Sequence, residues 1–288
     1  MSETSGADST IAYQGKPGAN SHMACVQVHP DMTSLPCPTF EDAFAAVRDG
    51  HARLGMIPIE NSVAGRVADI HTLLPTAGLH ITGEHFQRVH HHLLAPKGMR
   101  LADIVTVHSH IQALGQCRRF IRSHGWIPRD RGDTAGAADE LSRQPEPGAA
   151  AIASSLAAEI YGLDILARDI EDADHNTTRF VIVAREPAWP PIDAGPCITT
   201  FEFRVRNVPA ALYKALGGFA TNGINMLKLE SYQDGAFVQA QFYTDVLGHP
   251  DDPALAEAIR ELRFFSDAFQ NLGVYPASPA RDKLGTPR

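Results

Sequence analysis

A proline- and glycine-rich segment at residues 187–197, PAWPPIDAGPC, divides this sequence into two parts with different hydrophobic patterns. Proline interrupts both helices and central strands, so such a segment between two apolar runs is typical of a domain boundary. Before it, short apolar strands alternate with helical patterns. After it, the order is strand, helix, strand, strand, helix, strand. The 288-residue chain is therefore predicted to form two domains.

The first part predicts an α/β domain with mostly parallel strands, at 11–13, 54–59, 104–107, 149–153 and 180–184. In the second part, Asp234-Gly235 between alternating runs predicts a hairpin. A βαββαβ order in under a hundred residues is that of the ferredoxin-like fold. So small a sheet usually has an exposed edge, which favours pairing with a second copy.

Composition excludes several classes of protein. With 44% hydrophobic and 20% charged residues the chain has enough apolar side chains for a core, and its net charge of −8 opposes non-specific nucleic-acid binding. It has neither an apolar run of roughly 18 residues nor the features of a signal peptide, which predicts a cytoplasmic protein without a membrane span. The four scattered cysteines are predicted to be buried and free: Cys25, Cys37, Cys117 and Cys197.

Polar residues follow three of the predicted strands. In open α/β sheets, ligands bind at these carboxyl ends of the strands. In YQGKPGANSHMA, glycines permit a tight turn, and Asn20 or Ser21 is expected to cap a helix whose N–H groups face anions. Asn61 or Ser62, after the strand LGMIPIE, could equally be an ordinary helix cap. In VHSHIQALGQC, Ser109 and Gln112 form a predicted capping box, which explains Ser109 without any function.

The run His90-His91-His92 resembles a metal-binding cluster at first sight. Consecutive side chains of a strand point to opposite faces, so the three cannot all reach one ion. The sequence therefore predicts a polar strand rim and no metal site.

Five motifs occur in one order along the chain: YQGKPGANSHMA, PIENSVAG, VHSHIQALGQC, AAIASSLAAEIYGLDIL and NTTRF. In this respect the sequence closely resembles prephenate dehydratases that carry a C-terminal regulatory ACT domain. The resemblance implies a two-lobed α/β fold similar to periplasmic binding proteins, with the active site in the cleft between the lobes, followed by a ferredoxin-like ACT domain. It implies a flexible tail at 1–9, a catalytic domain at 10–186, a linker at 187–197, the ACT domain at 198–277 and a C-terminal tail at 278–288.

The resemblance also implies the roles of individual residues. Thr178 becomes the main catalytic residue, with Asn61, Ser109 and Gln116 contacting or orienting the substrate. Glu60 and Arg179 support them. The residues expected to line the substrate site are Gly18, Asn20, Ser21, Ser62, Phe180 and Thr177, the last at a variable position of its motif where it packs.

In the ACT domain the resemblance implies an allosteric phenylalanine site between two subunits of a homodimer or homotetramer. Its expected residues are Ala210, Ala211, Leu212, Asn225, Leu229, Glu230 and Ser231. Two departures weaken this expectation. Ala210 stands where the family usually has glycine, and Tyr232-Gln233 replaces an arginine and a proline. Plain subunit pairing is the alternative role of this domain.

The implied reaction converts prephenate to phenylpyruvate with loss of carbon dioxide and water, as a step of phenylalanine biosynthesis. Because the ring becomes aromatic, no metal or organic cofactor is expected. The Thr178 hydroxyl is expected to donate a hydrogen bond to the leaving oxygen. Two other functions fit the sequence: an arogenate dehydratase, or a non-catalytic sensor of aromatic metabolites.

Overall fold

The structure is a computed structural model that describes residues 4–233, 240–283 and 285. The chain forms two compact units. Unit 1 comprises Met1–Ala43, Met56–Val67 and Gln87–Phe180, and unit 2 comprises Phe44–Gly55, Ala68–Phe86 and Val181–Arg288. Each unit is thus assembled from segments that alternate along the sequence.

The helices of the described residues are α1 (Thr4–Ala7), α2 (Asn20–Val28), α3 (Phe40–Arg48), α4 (Ala68–Thr76), α5 (Ile111–Gln116), α6 (Arg118–Ser123), α7 (Thr134–Arg143), α8 (Ser155–Tyr161), α9 (Ala211–Thr221), α10 (Pro253–Phe264) and α11 (Ala280–Lys283). The strands are β1 (Thr10–Gln14), β2 (Thr33–Cys37), β3 (Leu54–Asn61), β4 (Gly65–Arg66), β5 (His80–Arg88), β6 (His92–Ala95), β7 (Thr106–Ser109), β8 (Ile127–Asp130), β9 (Ala149–Ala153), β10 (Asp164–Ala167), β11 (Thr177–Ala184), β12 (Cys197–Val205), β13 (Met226–Gln233), β14 (Ala240–Leu247) and β15 (Ser266–Pro276).

Unit 1 contains two sheets, which confirms the predicted mixed α/β class. In the first, the order is β11-β3-β1-β2, with β1 and β2 parallel and the short β4 paired to the end of β3. In the second, the order is β10-β6-β9-β7-β8, with β9, β7 and β8 parallel. Strand β11 begins at Thr177, three residues before the predicted start, because polar residues of the NTTRF motif belong to the strand itself.

Alanine-rich β9, the central strand of the second sheet, is buried on both faces. Its sequence, AAAIA, has no exposed residue. Ala150 and Ile152 pack into one hydrophobic cluster, while Ala149, Ala151 and Ala153 pack into another on the opposite face. Parallel strands that are covered on both faces typically have such continuous apolar sequences.

In unit 2 the order of elements is β12, α9, β13, β14, α10, β15. The strands pair antiparallel in the order β13-β14-β12-β15, which confirms the predicted ferredoxin-like arrangement. Aromatic residues of the sheet, among them Phe201, Phe203 and Phe242, pack with α9 and α10 in one hydrophobic cluster. The predicted Asp234-Gly235 turn lies outside the described residues.

Two other expectations concern cysteines and membranes. All four cysteines are buried and free, as predicted. No helix in the described part of the chain has the length and apolarity that a membrane span requires.

Candidate active site

The ends of two neighbouring strands of unit 1 bring Asn61 and Thr178 together. Asn61 is the last residue of β3, and Thr178 is the second residue of β11. The Asn61 side-chain nitrogen Nδ2 lies 2.9 Å from Thr178 Oγ1 and 2.8 Å from Asn176 Oδ1. Its oxygen Oδ1 accepts hydrogen bonds from the backbone N–H groups of Val63 and Ala64, at 2.9 and 2.8 Å. The two residues that the resemblance assigned to one site are thus in contact, and the turn that Asn61 caps is not the start of a helix.

The backbone donors fix the direction of every hydrogen bond in this cluster. Since Asn61 Oδ1 must face two N–H groups, its amide nitrogen donates to Asn176 Oδ1. Asn176 Nδ2 must then donate to Gln116 Oε1, at 2.8 Å. His91 Nε2, 2.7 Å from the same oxygen, consequently carries a hydrogen and donates as well. Burial lowers the pKa of His91 from its usual value, which favours the neutral ring that this arrangement uses.

The same argument orients the Thr178 hydroxyl. Because Thr178 Oγ1 accepts a hydrogen bond from Asn61, its own hydrogen points away from Asn61. Thr178 is half-buried, whereas Asn176 is 1% exposed. The cluster therefore presents one oriented hydroxyl donor to a partly accessible position, which is the chemistry needed to help a hydroxyl or alkoxide group depart.

Ser62 fixes the segment that leads into Thr178. Its hydroxyl donates to His175 O at 2.6 Å and accepts from Thr177 N at 2.9 Å, while Ser62 N donates to Thr177 O. These bonds tie the beginning of β11 to the turn after β3. Ser62 therefore holds the position of Thr178 in the structure, and its substrate contact stays a prediction.

Glu60 and Arg179 form an ion pair one residue along each strand from Asn61 and Thr178. Arg179 Nη1 lies 3.0 Å from Glu60 Oε1, and the arginine is buried while the glutamate is half-buried. Removing a buried cation from its partner is costly, so this pair also fixes the register of β3 against β11.

The glycine-rich loop after β1 is held against α8. Gly18 has φ of +88°, and a Cβ at this position would lie 2.7 Å from the Cα of Ala157. Helix α2 begins at Asn20 with Ala19 as its N-cap, so the expectation that Asn20 or Ser21 caps the helix is wrong. Both side chains lie in the first turn instead, and Asn20 Oδ1 is a buried acceptor that no described residue satisfies.

Two other predicted site residues are fully buried. Ser109 ends β7 and donates its hydroxyl to Ile152 O at 2.6 Å, while the helix cap of α5 is His110, which accepts from Gln112 N. The predicted Ser109-Gln112 capping box is therefore wrong, because the strand continues through Ser109. Phe180, which lies two positions after Thr178 in β11, is 1% exposed and packs in the interior.

Sequence reasoning missed Asn176 and His91. The signal for Asn176 was its spacing, because residues two apart in an extended chain face the same side, and Asn176 precedes Thr178 by two. No pattern in the sequence relates His91 to Gln116, since 25 residues separate them and only the fold brings them together.

In unit 2, the expected effector residues fall into two groups. Ala210, Ala211 and Leu212 line a cavity of about 330 Å³ that Phe242 also lines. Ser231 pairs with Phe242 across β13 and β14, which puts it next to this cavity. The others lie elsewhere along β13 or before it, with Leu229 paired to Thr244, Glu230 paired to Tyr243 and Asn225 O accepting from Leu247 N.

The departures from the resembled motif have visible consequences. Ala210 adopts the left-handed conformation, with φ of 60° and ψ of 20°, which glycine adopts without strain and alanine does not. Tyr232 donates its hydroxyl to Glu202 Oε1 at 2.5 Å, which ties β13 to another strand of unit 2, β12.

Comparison with known proteins identifies the family of this chain. A family model described as prephenate dehydratase matches residues 11–188. The "Bifunctional N-acyl-homoserine lactone acylase/prephenate dehydratase" of Komagataeibacter europaeus is 54% identical over 274 residues, covering 95% of this chain and 98% of the relative. The "Arogenate dehydratase/prephenate dehydratase 2, chloroplastic" of Arabidopsis thaliana is 37% identical, covering 96% of this chain and 74% of the relative.

Among solved structures, a prephenate dehydratase from Arthrobacter aurescens in complex with L-Phe has a TM-score of 0.86 and 33% identity, covering 93% of this chain and 90% of the other. A structure titled "GqqA- a novel type of quorum quenching acylases" has a TM-score of 0.89 and 55% identity, covering 94% and 99%. The family model spans more than half of the chain, and the relatives match nearly all of it. The chain belongs to the prephenate dehydratase family.

Proposed function

We propose that this enzyme catalyses the decarboxylating dehydration of prephenate to phenylpyruvate, as a step of phenylalanine biosynthesis. The observation that carries the proposal is the orientation of the Thr178 hydroxyl, which accepts from Asn61 and thereby offers its hydrogen to a bound ligand. Family membership supports the reaction class. Asn61, Gln116 and Asn176 hold the donor in place through side-chain bonds of 2.8 to 2.9 Å.

The chemistry divides between the substrate and these residues. As the bond to the departing carboxylate breaks, its electron pair enters the ring, and the bond from the ring to the hydroxyl oxygen breaks. The hydroxyl takes up a proton and leaves as water. The Thr178 hydrogen bond stabilises the charge that develops on this oxygen, and the proton comes from water, because threonine is a weak acid. Aromatisation drives the reaction, so the proposed mechanism calls for no cofactor.

The carboxylate that stays on the product needs fixed donors. The first turn of α2 supplies backbone N–H groups, and Asn20 and Ser21 lie in that turn. Gly18 allows the loop before the turn to approach α8 closely. We assign this loop to carboxylate binding, with Ser109 as a residue that orients β7 through Ile152.

We propose prephenate as the substrate in preference to arogenate, and the ion pair of Glu60 supports this choice. Arogenate carries an ammonium group where prephenate has a keto group, and an ammonium calls for a carboxylate partner. Glu60 precedes Asn61 in β3, so its carboxylate faces the other side of the strand, where the buried Arg179 pairs with it at 3.0 Å. The relative that is 54% identical also carries prephenate dehydratase in its name.

That relative's name includes a second activity, that of an N-acyl-homoserine lactone acylase. Amide hydrolysis by a hydroxyl nucleophile needs a general base in hydrogen-bond contact with it. The partner of Thr178 Oγ1 is the amide of Asn61, which is not a base. For this site we therefore propose the dehydratase reaction alone.

We further propose that unit 2 contains the ACT domain and binds L-phenylalanine as an effector. The cavity at Ala210–Leu212 reaches the lower limit of ligand-binding pockets, about 300 Å³. Strand β13 lies at the edge of the described sheet and exposes Leu229, which supports pairing with a second copy as a homodimer or homotetramer. Four buried free cysteines support a location in the reducing cytoplasm.

Replacing Ala210 with glycine is expected to stabilise the protein by about 0.5 to 1 kcal/mol. Relief of the left-handed alanine contributes about 1 to 2 kcal/mol, and the greater freedom of glycine in the unfolded chain offsets about 0.4 to 1 kcal/mol of it. Urea titration gives the free energy of unfolding, and calorimetric titration with L-phenylalanine on the same samples measures whether relieving this loop strengthens binding.

The matched control is Ala211→Gly, one residue later in the first turn of α9. There the backbone is helical, so glycine is expected to destabilise by about 0.5 to 1 kcal/mol. Equal effects of the two substitutions would contradict the strain at Ala210.

The test of the function is phenylpyruvate formation, followed by its absorbance in alkali, with prephenate and arogenate offered separately to the purified chain. Turnover of prephenate well above that of arogenate is the expected result. Preference for arogenate would overturn the argument from Glu60. A folded protein that binds prephenate and converts neither compound would be a sensor.

A further inference from the structure

Three side chains of unit 1 outside the proposed catalytic cluster converge on one point. His90 Nδ1 lies 3.0 Å from Asp169 Oδ1 and 3.0 Å from Glu171 Oε1, and the three atoms all lie within 4.8 Å of one another. His90 belongs to the segment between β5 and β6, and the two acids belong to the segment after β10. We call these three residues the His90 cluster.

Hydrogen bonding alone accounts poorly for this geometry. His90 Nδ1 carries at most one hydrogen, yet two carboxylate oxygens lie equally near to it. A cation has no such directional limit. Two ligand atoms at about 2.1 Å from a metal ion and at right angles to each other lie about 3.0 Å apart, which is the separation found here.

The cluster is also held in place by its surroundings. Glu171 has a side chain that is 6% exposed, and its second oxygen, Oε2, accepts from His91 N at 2.9 Å. Ile170 N donates to His91 O, also at 2.9 Å, so the two segments are bonded to each other on both sides of the cluster. Carboxylates that bind metal ions are usually held in this way, with a hydrogen bond to a second group of the protein.

We propose that His90, Asp169 and Glu171 form a binding site for a divalent transition-metal cation of the Zn²⁺ type. One imidazole and two carboxylates suit Zn²⁺, Co²⁺ or Mn²⁺ better than Mg²⁺, which prefers oxygen ligands alone. Asp169 is 59% exposed, which leaves the remaining coordination positions open to water. His92 is not a ligand through Nδ1, because that atom accepts a hydrogen bond from Asp169 N.

A cation here would act on the catalytic cluster through Gln116. His91 follows His90 directly and donates to Gln116 Oε1, and Asp172, which follows Glu171, donates its backbone N–H to Gln116 O. Both segments that supply ligands therefore also hold Gln116. The site is structural: it fixes these segments and takes no part in bond breaking.

The test is calorimetric titration of the EDTA-treated full chain with ZnCl₂. One saturable site per chain is expected, weakened about tenfold or more in His90→Gln and in Asp169→Asn. Asparagine is chosen because it tolerates the left-handed backbone of Asp169, with φ of 52°. The control is His175→Gln, since His175 faces a single carboxylate, that of Asp174 at 3.6 Å, and its loss should leave binding unchanged.

Two further readouts separate this site from adventitious binding to other histidines. Co²⁺ should give a visible ligand-field spectrum that disappears in His90→Gln. Zn²⁺ should raise the melting temperature of the wild-type chain and not that of Asp169→Asn. The proposal would be overturned by wild-type protein without a saturable site, or by cluster variants that bind Zn²⁺ as tightly as the wild type does. Either outcome is independent of the dehydratase assay.

Discussion

The Thr178→Val variant is expected to convert prephenate about 10² to 10⁴ times more slowly than the wild type, with little change in KM. Valine keeps the shape of threonine and removes the hydroxyl. The lost hydrogen bond goes to an oxygen that becomes charged only as the reaction proceeds, so the loss falls on kcat. Steady-state rates of phenylpyruvate formation measure both constants.

The control is the neighbouring threonine. Thr177 precedes Thr178 in β11 and faces the other side of the strand, where it is buried. Thr177→Val makes the same chemical change one residue, about 3.8 Å, away and should leave kcat nearly unchanged. Thr178→Ser, which restores the hydroxyl, should recover much of the rate. Undiminished turnover by Thr178→Val would end the assignment.

The sequence was a better guide to which residues belong to the candidate site than to the hydrogen bonds that position them. Thr178 and Asn61 follow from motifs, and the alternation of strand residues brings Asn176 to the same side as Thr178. The direction of the hydrogen bonds does not follow from sequence. It depends on the backbone N–H groups of Val63 and Ala64, whose position is set by the turn after β3.

Predictions from local sequence spacing were wrong where the side chain bonds instead to a residue far away in the chain. Ser109 has the spacing of a capping box, but its hydroxyl bonds Ile152 O on the adjacent strand, so His110 becomes the cap. Local spacing cannot reveal a partner 43 residues away. For the same reason, a polar segment at the end of a sequence looks like a tail unless its partner is known.

That segment, at residues 278–288, contains the buried partner of a strand residue. Arg281 in α11 binds Glu84 of β5 through two bonds, Nε to Oε1 at 2.6 Å and Nη2 to Oε2 at 2.8 Å. The side chains are 3% and 0% exposed. Ser278 N donates to the same carboxylate. Within unit 2, Ser278 and Arg281 are thus bonded to a strand that precedes them by almost two hundred positions.

Replacing Arg281 with methionine is expected to destabilise the protein by about 3 to 5 kcal/mol, because the buried Glu84 carboxylate loses this cation and two hydrogen bonds. Methionine keeps the length and apolar body of the side chain, so the charge and the hydrogen bonds are the main loss. Urea titration followed by circular dichroism measures the free energy of unfolding. The double variant Arg281→Met/Glu84→Gln should recover part of the loss, since glutamine carries no charge.

The control is an exposed pair with the same chemistry. Arg260 contacts Glu257 through two bonds in α10, with side chains that are 74% and 42% exposed. Because water solvates both groups there, Arg260→Met should cost less than about 1 kcal/mol. Comparable losses at Arg260 and Arg281 would show that burial does not decide the strength of these pairs. A small loss at Arg281 with no recovery in the double variant would mean that the last residues are a tail after all.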